Sequence, residues 1–358
     1  MMRGTLQALA SGVALAMTAA GQDGRGIADG QLQGLDLASV TATPIGTLTQ
    51  DFEGIASTPF GYDYAITWMG DLYRVVQSNG RATLVEVTGV PYVSALAYDV
   101  GAHAVFFTHK VPGGHGLTRL DLARDVRTYL GLVGAQIVGM DVSPLGELFA
   151  WDSGTIPGEG DGLVLIDKVT GVVRNVNPEF GGPVDVMWMA FRGEQLFCGR
   201  ESVYAVDPVT GITSYVGSFL LTDLYTLDFD DAELGTAYCG AVPNSTGMSA
   251  RLRAFGSTTH LTLLCEHLPP DAVAFVIAGP SQGFIPFPGG SQGFLCVVGE
   301  LHRLLETVAR VPHHGFVVGR PAVSALPIVS GATWRFQTWY KEPTGAANFS
   351  LPVALTFL

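Results

Sequence analysis

One hairpin recurs along the first two-thirds of the chain, and it restricts the fold more than any other feature. Leu117-Thr-Arg-Leu-Asp-Leu-Ala-Arg-Asp-Val-Arg-Thr-Tyr-Leu-Gly131 reads as a strand, a polar turn and a second strand. Leu163-Val-Leu-Ile-Asp-Lys-Val-Thr-Gly171, Val203-Tyr-Ala-Val-Asp-Pro-Val-Thr-Gly211 and Leu72-Tyr-Arg-Val-Val-Gln-Ser-Asn-Gly80 repeat its first half. Apolar residues alternate before each turn, as a half-buried strand requires. Asp-Pro-Val-Thr-Gly and Ser-Asn-Gly supply hairpin turn chemistry, with a Gly free to take positive φ.

A further strand pair precedes each of these hairpins. The first strands centre on Ile55, Leu96, Met140, Met189 and Leu227, at intervals of 41, 44, 49 and 38 residues. The second strands include Tyr64–Thr67, Ala104–Phe107, Leu148–Trp151, Gln195–Cys198 and Thr236–Cys239. Four strands in about 40–45 residues is the period of a β-propeller blade. The pair around Leu227 and Tyr238 has no hairpin after it. The missing copy stands at the other end: residues 32–46 align without a gap to 117–131, matching at Leu32, Leu35, Asp36, Leu37, Ala38, Thr43 and Gly46. The expectation is therefore a five-bladed β-propeller over residues 30–239. Its last blade takes inner strands from 223–239 and is closed by the N-terminal hairpin, which removes two exposed sheet edges.

Met1-Met2-Arg3, an apolar run from Leu6 to Ala20, and Thr18-Ala19-Ala20 before Gly21 read as a secretory signal peptide over residues 1–21. Residues 22–30 then read as a Gly/Asp-rich mature leader. No later stretch is apolar for 18 residues, so no membrane span is expected after signal removal. The expected location is extracellular or in the cell envelope.

Charge marks a boundary. Residues 1–239 carry 27 acidic and 12 basic side chains, whereas residues 240–358 carry 5 and 7. The Pro/Gly run Gly240–Gly247 follows the switch and reads as a linker to a second module. The chain's net charge of −13 argues against nucleic acid as a partner. In the second module, residues 261–265, 272–277, 334–339 and 353–357 are strand-like between Pro/Gly runs. Trp334, Phe336 and Tyr340 alternate with Arg335, Gln337 and Lys341, the pattern of a sheet with one wet face.

Two loops exceed the repeat, and extra loop length in a repeat marks candidate function. They are residues 109–116 and 152–162, expected at the same end of the ring. The candidate binding face is His109, Lys110, His115, Trp151, Asp152, Glu159 and Asp161. Asp152, Glu159 and Asp161 could offer oxygens to Ca²⁺, but they lack EF-hand spacing, so no cofactor is assigned. His109 and His115, six apart in a Gly-rich loop, impose no metal geometry, and His313-His314 reads as loop. No nucleophile elbow, zinc-protease helix or phosphate loop is present, and no catalytic residue is assigned. Asp141 and Asp228, equivalent positions in two repeats, read as ion-pairing or turn-capping acids. Four cysteines, with no Cys-x-x-Cys pair, allow three pairings.

The last 120 residues carry ordered landmarks: Tyr238-Cys-Gly240, Pro243-Asn-Ser-Thr-Gly247, Leu268-Pro-Pro270, Ser281-Gln-Gly-Phe284, Pro288-Gly-Gly-Ser-Gln-Gly293, Leu295-Cys296, Gly331-Ala-Thr-Trp334, Trp339-Tyr340 and Asn348-Phe-Ser350. Their order and spacing resemble a C-terminal β-rich module found at the ends of many large secreted bacterial proteins. The resemblance implies an accessory or attachment β-sandwich over 240–358. It also implies a Cys239–Cys296 disulfide, with Cys198 and Cys265 free and buried. Ser350-Leu-Pro-Val departs from the module's usual continuation. Residues 30–239 look like secreted bacterial propellers with repeated Leu-Tyr-x-Ile-Asp-x-x-Thr-Gly hairpins.

The reading is thus all-β: an exported, non-catalytic propeller presenting a binding face to an extracellular carbohydrate or protein, with a C-terminal module. The alternative is a propeller hydrolase or lyase acting on an extracellular sugar or lactone.

Overall fold

A computed structural model describes residues 24–154, 162–176, 185–230, 233–256, 261–304, 309–311, 315, 317–319 and 326–357. The expected signal peptide, Glu159, Asp161 and His313-His314 lie outside the described residues. What is described is all-β, apart from one short 3₁₀ turn at Pro288–Gly290.

The chain opens with β1 (Gly24–Ala28), β2 (Gln31–Asp36) and β3 (Thr41–Thr47). Then come β4 (Phe52–Ala56), β5 (Tyr62–Thr67), β6 (Asp71–Val76) and β7 (Ala82–Val87), one antiparallel sheet in chain order. β8 (Val93–Asp99), β9 (Ala104–Val111), β10 (Gly114–Asp121) and β11 (Val126–Gly134) form the next. β12 (Ile137–Val142), β13 (Leu148–Asp152), β14 (Gly162–Ile166) and β15 (Val173–Asn175) form a third. β16 (Trp188–Arg192), β17 (Gln195–Gly199), β18 (Ser202–Val206) and β19 (Thr213–Ser218) form a fourth. The last, in the order β20-β1-β2-β3, joins β20 (Leu224–Phe229) to the three N-terminal strands. The first strands β4, β8, β12, β16 and β20 pack against one another in that order, and β20 packs back on β4.

The hairpin turns follow from their sequence. The Oδ1 of Asp36, Asp121, Asp167 and Asp207 each accepts hydrogen bonds from the amides two and three residues on. On the first strands, the sheets approach so closely that a side chain is excluded. A Cβ at Gly54 would meet Leu96 Cβ at 2.7 Å, and one at Gly139 would meet the Met189 nitrogen at 2.5 Å.

The composite sheet departs from expectation in one strand. Its second strand is not Thr236–Cys239 but β1, which pairs Gly24 with Phe229 and Ala28 with Leu224. The run read as a mature leader is therefore a strand, and all five of its residues are buried. Its Gly-rich sequence masked it: Gly24 and Gly26 are glycines because Asp228 and Thr226 backbone atoms stand where their Cβ atoms would go. Only Thr236 and Ala237 are extended in the other segment, and they belong to the second module.

That module begins with β21 (Thr236–Ala237), β22 (Arg251–Gly256), β23 (Leu261–Glu266), β24 (Val273–Gly279), β25 (Ser281–Pro286) and β26 (Phe294–Val298). β27 (His302–Arg303), β28 (Ala309–Arg310), β29 (Val317–Gly319), β30 (Thr333–Lys341), β31 (Ala347–Phe349) and β32 (Val353–Thr356) complete it. The larger sheet runs β21-β32-β30-β24-β27, and a smaller one runs β22-β23-β29. One apolar core takes Leu252, Leu261 and Leu263 from the smaller sheet, and Trp334, Phe336, Tyr340 and Leu355 from the larger. The other face of β30 is wet only towards its ends, where Lys341 is exposed and Arg335 half-buried. The hairpin β25–β26 covers it, packing Val297 and Leu295 against Ile277, Phe349 and Trp339. Gln337 is fully buried there, and it survives burial because all its polar atoms are used. It donates to the Phe294 and Ser350 carbonyls and accepts from the Cys296 amide. Cys296, on that hairpin, is bonded to Cys239. Cys198 and Cys265 are free and buried. Burial pushes both thiols up, Cys265 to about 12, which makes them poor nucleophiles.

Candidate functional site

The ring has two ends and an axis, and they differ chemically. The axis is lined by Ile55, Leu96, Met140, Met189 and Leu227, one from each first strand, and leaves only about 10 Å³ of space. That is about the room a single water needs.

At the end where the first strands finish, the second module is seated. Phe255 and Leu264, on β22 and β23, pack against Phe60 in the β4–β5 turn. Arg253 donates to the Pro59 carbonyl and pairs with Glu266 and Glu233. A cavity of about 50 Å³ remains, walled by Ser57, Tyr98, Asp141, Ser143 and Asp228 below and by Phe255 and Thr262 above. Its two acids are structural. Asp228 Oδ2 accepts the Ser57 amide at 2.6 Å, and Asp141 Oδ2 accepts the Phe191 amide at 2.6 Å. Each carboxylate thus ties its first strand to the first strand of the next sheet. That tie between sheets needs the ring to exist.

The end where the first strands begin is not covered by the described part of the second module. Here β3 runs into β4 through Leu48–Asp51, and β20 starts beside it. A cleft of about 400 Å³ opens among Ile27, Gly30, Gln50, Asp51, Phe52, Glu53 and Tyr225. Glu53 also lines the axial channel, so the cleft lies at the ring's mouth. Burial, and then repulsion from Asp51, pushes the Glu53 carboxyl up. Nearby, Arg200 is held by Asp185, Glu201 and Asp223. On the same end, Trp68 and Tyr92 meet edge to face at 5.0 Å with about half of each surface exposed. Met69 and Leu220 are also exposed beside these turns.

The residues singled out from sequence lie at this end, but mostly inside the sheets. The segment 109–116 is not a loop. β9 and β10 extend through it, pairing Val111 with Gly114, so that only Pro112 and Gly113 turn. His109 and His115 therefore sit on opposite faces of one sheet and are both buried. His109 packs between Phe107 and Tyr129. Burial, helped by Arg127, lowers its pKa. His115 Nδ1 lies 3.0 Å from Ser94 Oγ, which is 3.1 Å from Thr108 Oγ1. Burial lowers the His115 pKa too, against the pull of Asp152. The Asp152 carboxylate is itself buried, and accepts the Ala135, Gln136 and Gly154 amides. It is a loop clasp, with no free oxygen turned to a ligand. Trp151 is fully buried between sheets with Phe149 and Leu163. Lys110 alone among the described members of the set is exposed. Among the described residues, no three or more His, Cys, Asp or Glu side chains are placed to hold a metal ion. No helix among them is long and apolar enough to cross a membrane.

Sequence reasoning missed Asp51, Glu53, Tyr225, Trp68 and Tyr92. The register held the signal: these positions flank each repeat's first strand or its second-to-third turn.

No protein-family model matches the chain, and no curated protein matches it. Solved structures are similar to it at low identity. A nidogen/laminin complex chain aligns at 13% identity and a TM-score of 0.44, over 69% of this chain and 89% of the other. A gluconolactonase from Xanthomonas campestris aligns at 13% identity and a TM-score of 0.40, over 66% and 75%. The extracellular domain of a B. thetaiotaomicron one-component system aligns at 12% identity and a TM-score of 0.34, over 92% of this chain and 48% of the other.

Proposed function

We propose that the five four-stranded sheets are the blades of a β-propeller spanning about residues 24–230. We further propose that the chain is an exported binding protein whose open end meets a carbohydrate or protein ligand. In this reading residues 233–357 form a C-terminal β-sandwich, an accessory or attachment module that also caps the opposite end. The carrying observation is the axis: apolar side chains fill it to about 10 Å³, and one mouth lies under Phe255, which leaves the other end for recognition. A hydrolase would need polar side chains converging on a wetted chamber. Among the residues lining the axial space Glu53 is the single acid, and the two acids of the capped mouth, Asp141 and Asp228, are engaged by backbone amides of the next sheet. Export is supported by the Cys239–Cys296 bond, a pairing that oxidising compartments preserve.

The test is a glycan and extracellular-protein array probed with the secreted chain. Two double variants serve as probes: Trp68→Ala/Tyr92→Ala at the open end, and Val169→Ser/Val209→Ser at the capped end. Val169 and Val209 are each 80% exposed in third-to-fourth strand turns, so their replacement should leave the fold intact. Captured ligand should be lost with the first variant and kept with the second. The opposite pattern, or turnover of a chromogenic lactone by the parent, would overturn the reading.

A further inference from the structure

We propose that the cleft between Tyr225 and the start of β4 receives a guanidinium or ammonium side chain presented by a partner polypeptide. This rests on the open-end reading above and names its anchor point.

The floor of the cleft is apolar. Ile27 and Phe52 are buried beneath it, and Gly30 leaves one side without a side chain. The phenol ring of Tyr225, 38% exposed, stands on its wall. Asp51, just before β4, and Glu53, at the bulge that follows Phe52, both line the cleft, close enough for Asp51 to repel the Glu53 carboxylate. Neither has an ion-pair partner among the described residues. No basic residue lines the cleft. The neighbouring cation, Arg200, is already committed to three carboxylates.

On a flat surface two acids would be ordinary solvated side chains. Here they rim a concavity of about 400 Å³, within the size range of ligand pockets. An apolar floor suits the methylene stem of lysine or arginine, an aromatic wall suits the cationic head, and paired carboxylates complete its coordination. A bound cation would also relieve the repulsion from Asp51, which adds to burial in raising the Glu53 carboxyl. An anion would be repelled. The exposed apolar groups on the same end, Trp68, Met69, Tyr92 and Leu220, fit a polypeptide contact around a central anchor better than a free amine.

The experiment is fluorescence anisotropy with the full secreted chain and a dye-labelled peptide alternating Gly and Arg. The Gly/Glu counterpart and spermidine are the other arms. The Arg peptide should bind, weaken as salt rises, and be displaced poorly by spermidine, while the Glu peptide should not bind. Asp51→Asn/Glu53→Gln should weaken binding at least tenfold, and Tyr225→Ala several-fold. Glu86→Gln/Asp125→Asn, an acid on the outer strand β7 and one in the β10–β11 turn, should leave it unchanged. Circular dichroism melting checks that each variant folds. An Asp51/Glu53 variant that folds and binds like the parent would overturn the site, as would a parent that fails to bind. Equal displacement by spermidine would overturn the polypeptide as its source. Either of the first two results, with the array still selective for the open end, removes the cleft and leaves the binding face standing. An array selective for the capped end removes the parent reading instead.

Discussion

Four of the ring's sheets are made of consecutive strands, and the fifth is not. The β8–β11 sheet closes through short turns, so chain connectivity brings its strands together at little entropic cost. The fifth joins β20 to β1 across about 200 residues of chain, and connectivity contributes almost nothing. Side chains reinforce the β1–β20 ladder there. Arg25, on β1, is 4% exposed and reaches Asp63 on β5 in the next sheet, with Nε 2.5 Å and Nη2 2.9 Å from its carboxylate. The same guanidinium pairs with Asp230 just after β20. Burial works against the Arg25 charge, and the two carboxylates outweigh it, so the side chain stays protonated. The junction between the β8 and β12 sheets shows the contrast. It packs Ala97, Phe106, Leu117, Met140 and Val164, with an ion pair from Lys168 to Asp99 at its edge. Where the covalent chain does not hold neighbours together, a buried ion network does.

The largest effect expected from this contrast is loss of the composite sheet. Removing residues 22–48 strips β1–β3 and should abolish cooperative unfolding of the ring in thermal circular dichroism. A truncated chain that melts like the parent would break the comparison. Next comes the latch. Arg25→Ala leaves Asp63 buried without its counter-charge and should cost about 3–5 kcal/mol in urea unfolding. Lys168→Ala, at the locally closed junction, should cost less, about 1 kcal/mol, because Lys168 is partly exposed and the buried Asp99 keeps the Gly101 and Ala102 amides as partners. Equal losses at the two junctions would refute the distinction. The inter-sheet staples should fall between these. Asp228→Ala and Asp141→Ala each orphan a buried amide, worth about 1–3 kcal/mol, and a larger loss at Asp228 would sharpen the case for the composite junction.

The smallest effect is a pH dependence at the open mouth. Glu53 titrates higher in the folded chain than in the unfolded one. Its protonation favours folding below the ordinary carboxylate range, and that contribution is lost as pH rises through the folded value. Glu53→Gln should therefore raise Tm modestly at pH 7 and leave it unchanged near pH 3. A shift that is the same at both would mean the residue acts through packing instead.

Much of the ring was legible in residue order, because hairpins announce themselves locally. The Asp- and Asn-bearing turns and the apolar alternation before them place β2–β3, β6–β7, β10–β11, β14–β15 and β18–β19 without reference to distant chain. Ile55, Leu96, Met140, Met189 and Leu227 were likewise readable as one position repeated, and they do line one axis. The candidate site was far less legible. His109, His115, Trp151 and Asp152 stood out by type or by apparent loop length, yet strand extension and neighbouring sheets buried all four. Asp51, Glu53 and Tyr225 looked unremarkable in sequence, since they come together only when β20 is laid beside β4. Gln337 teaches the same point in the second module: it read as solvent-facing until β25–β26 was folded over it.

Sequence alone determined what depends on neighbours in the chain: all-β character, the number and spacing of hairpins, turn chemistry, and the acidic first region. Tertiary structure alone decided which strand completes the last sheet, which end is covered, and which carboxylates are left without a partner. The physical reason is range. Turn geometry and side-chain alternation act over a few residues, whereas burial and ion pairing depend on what distant segments bring, and no local pattern encodes that.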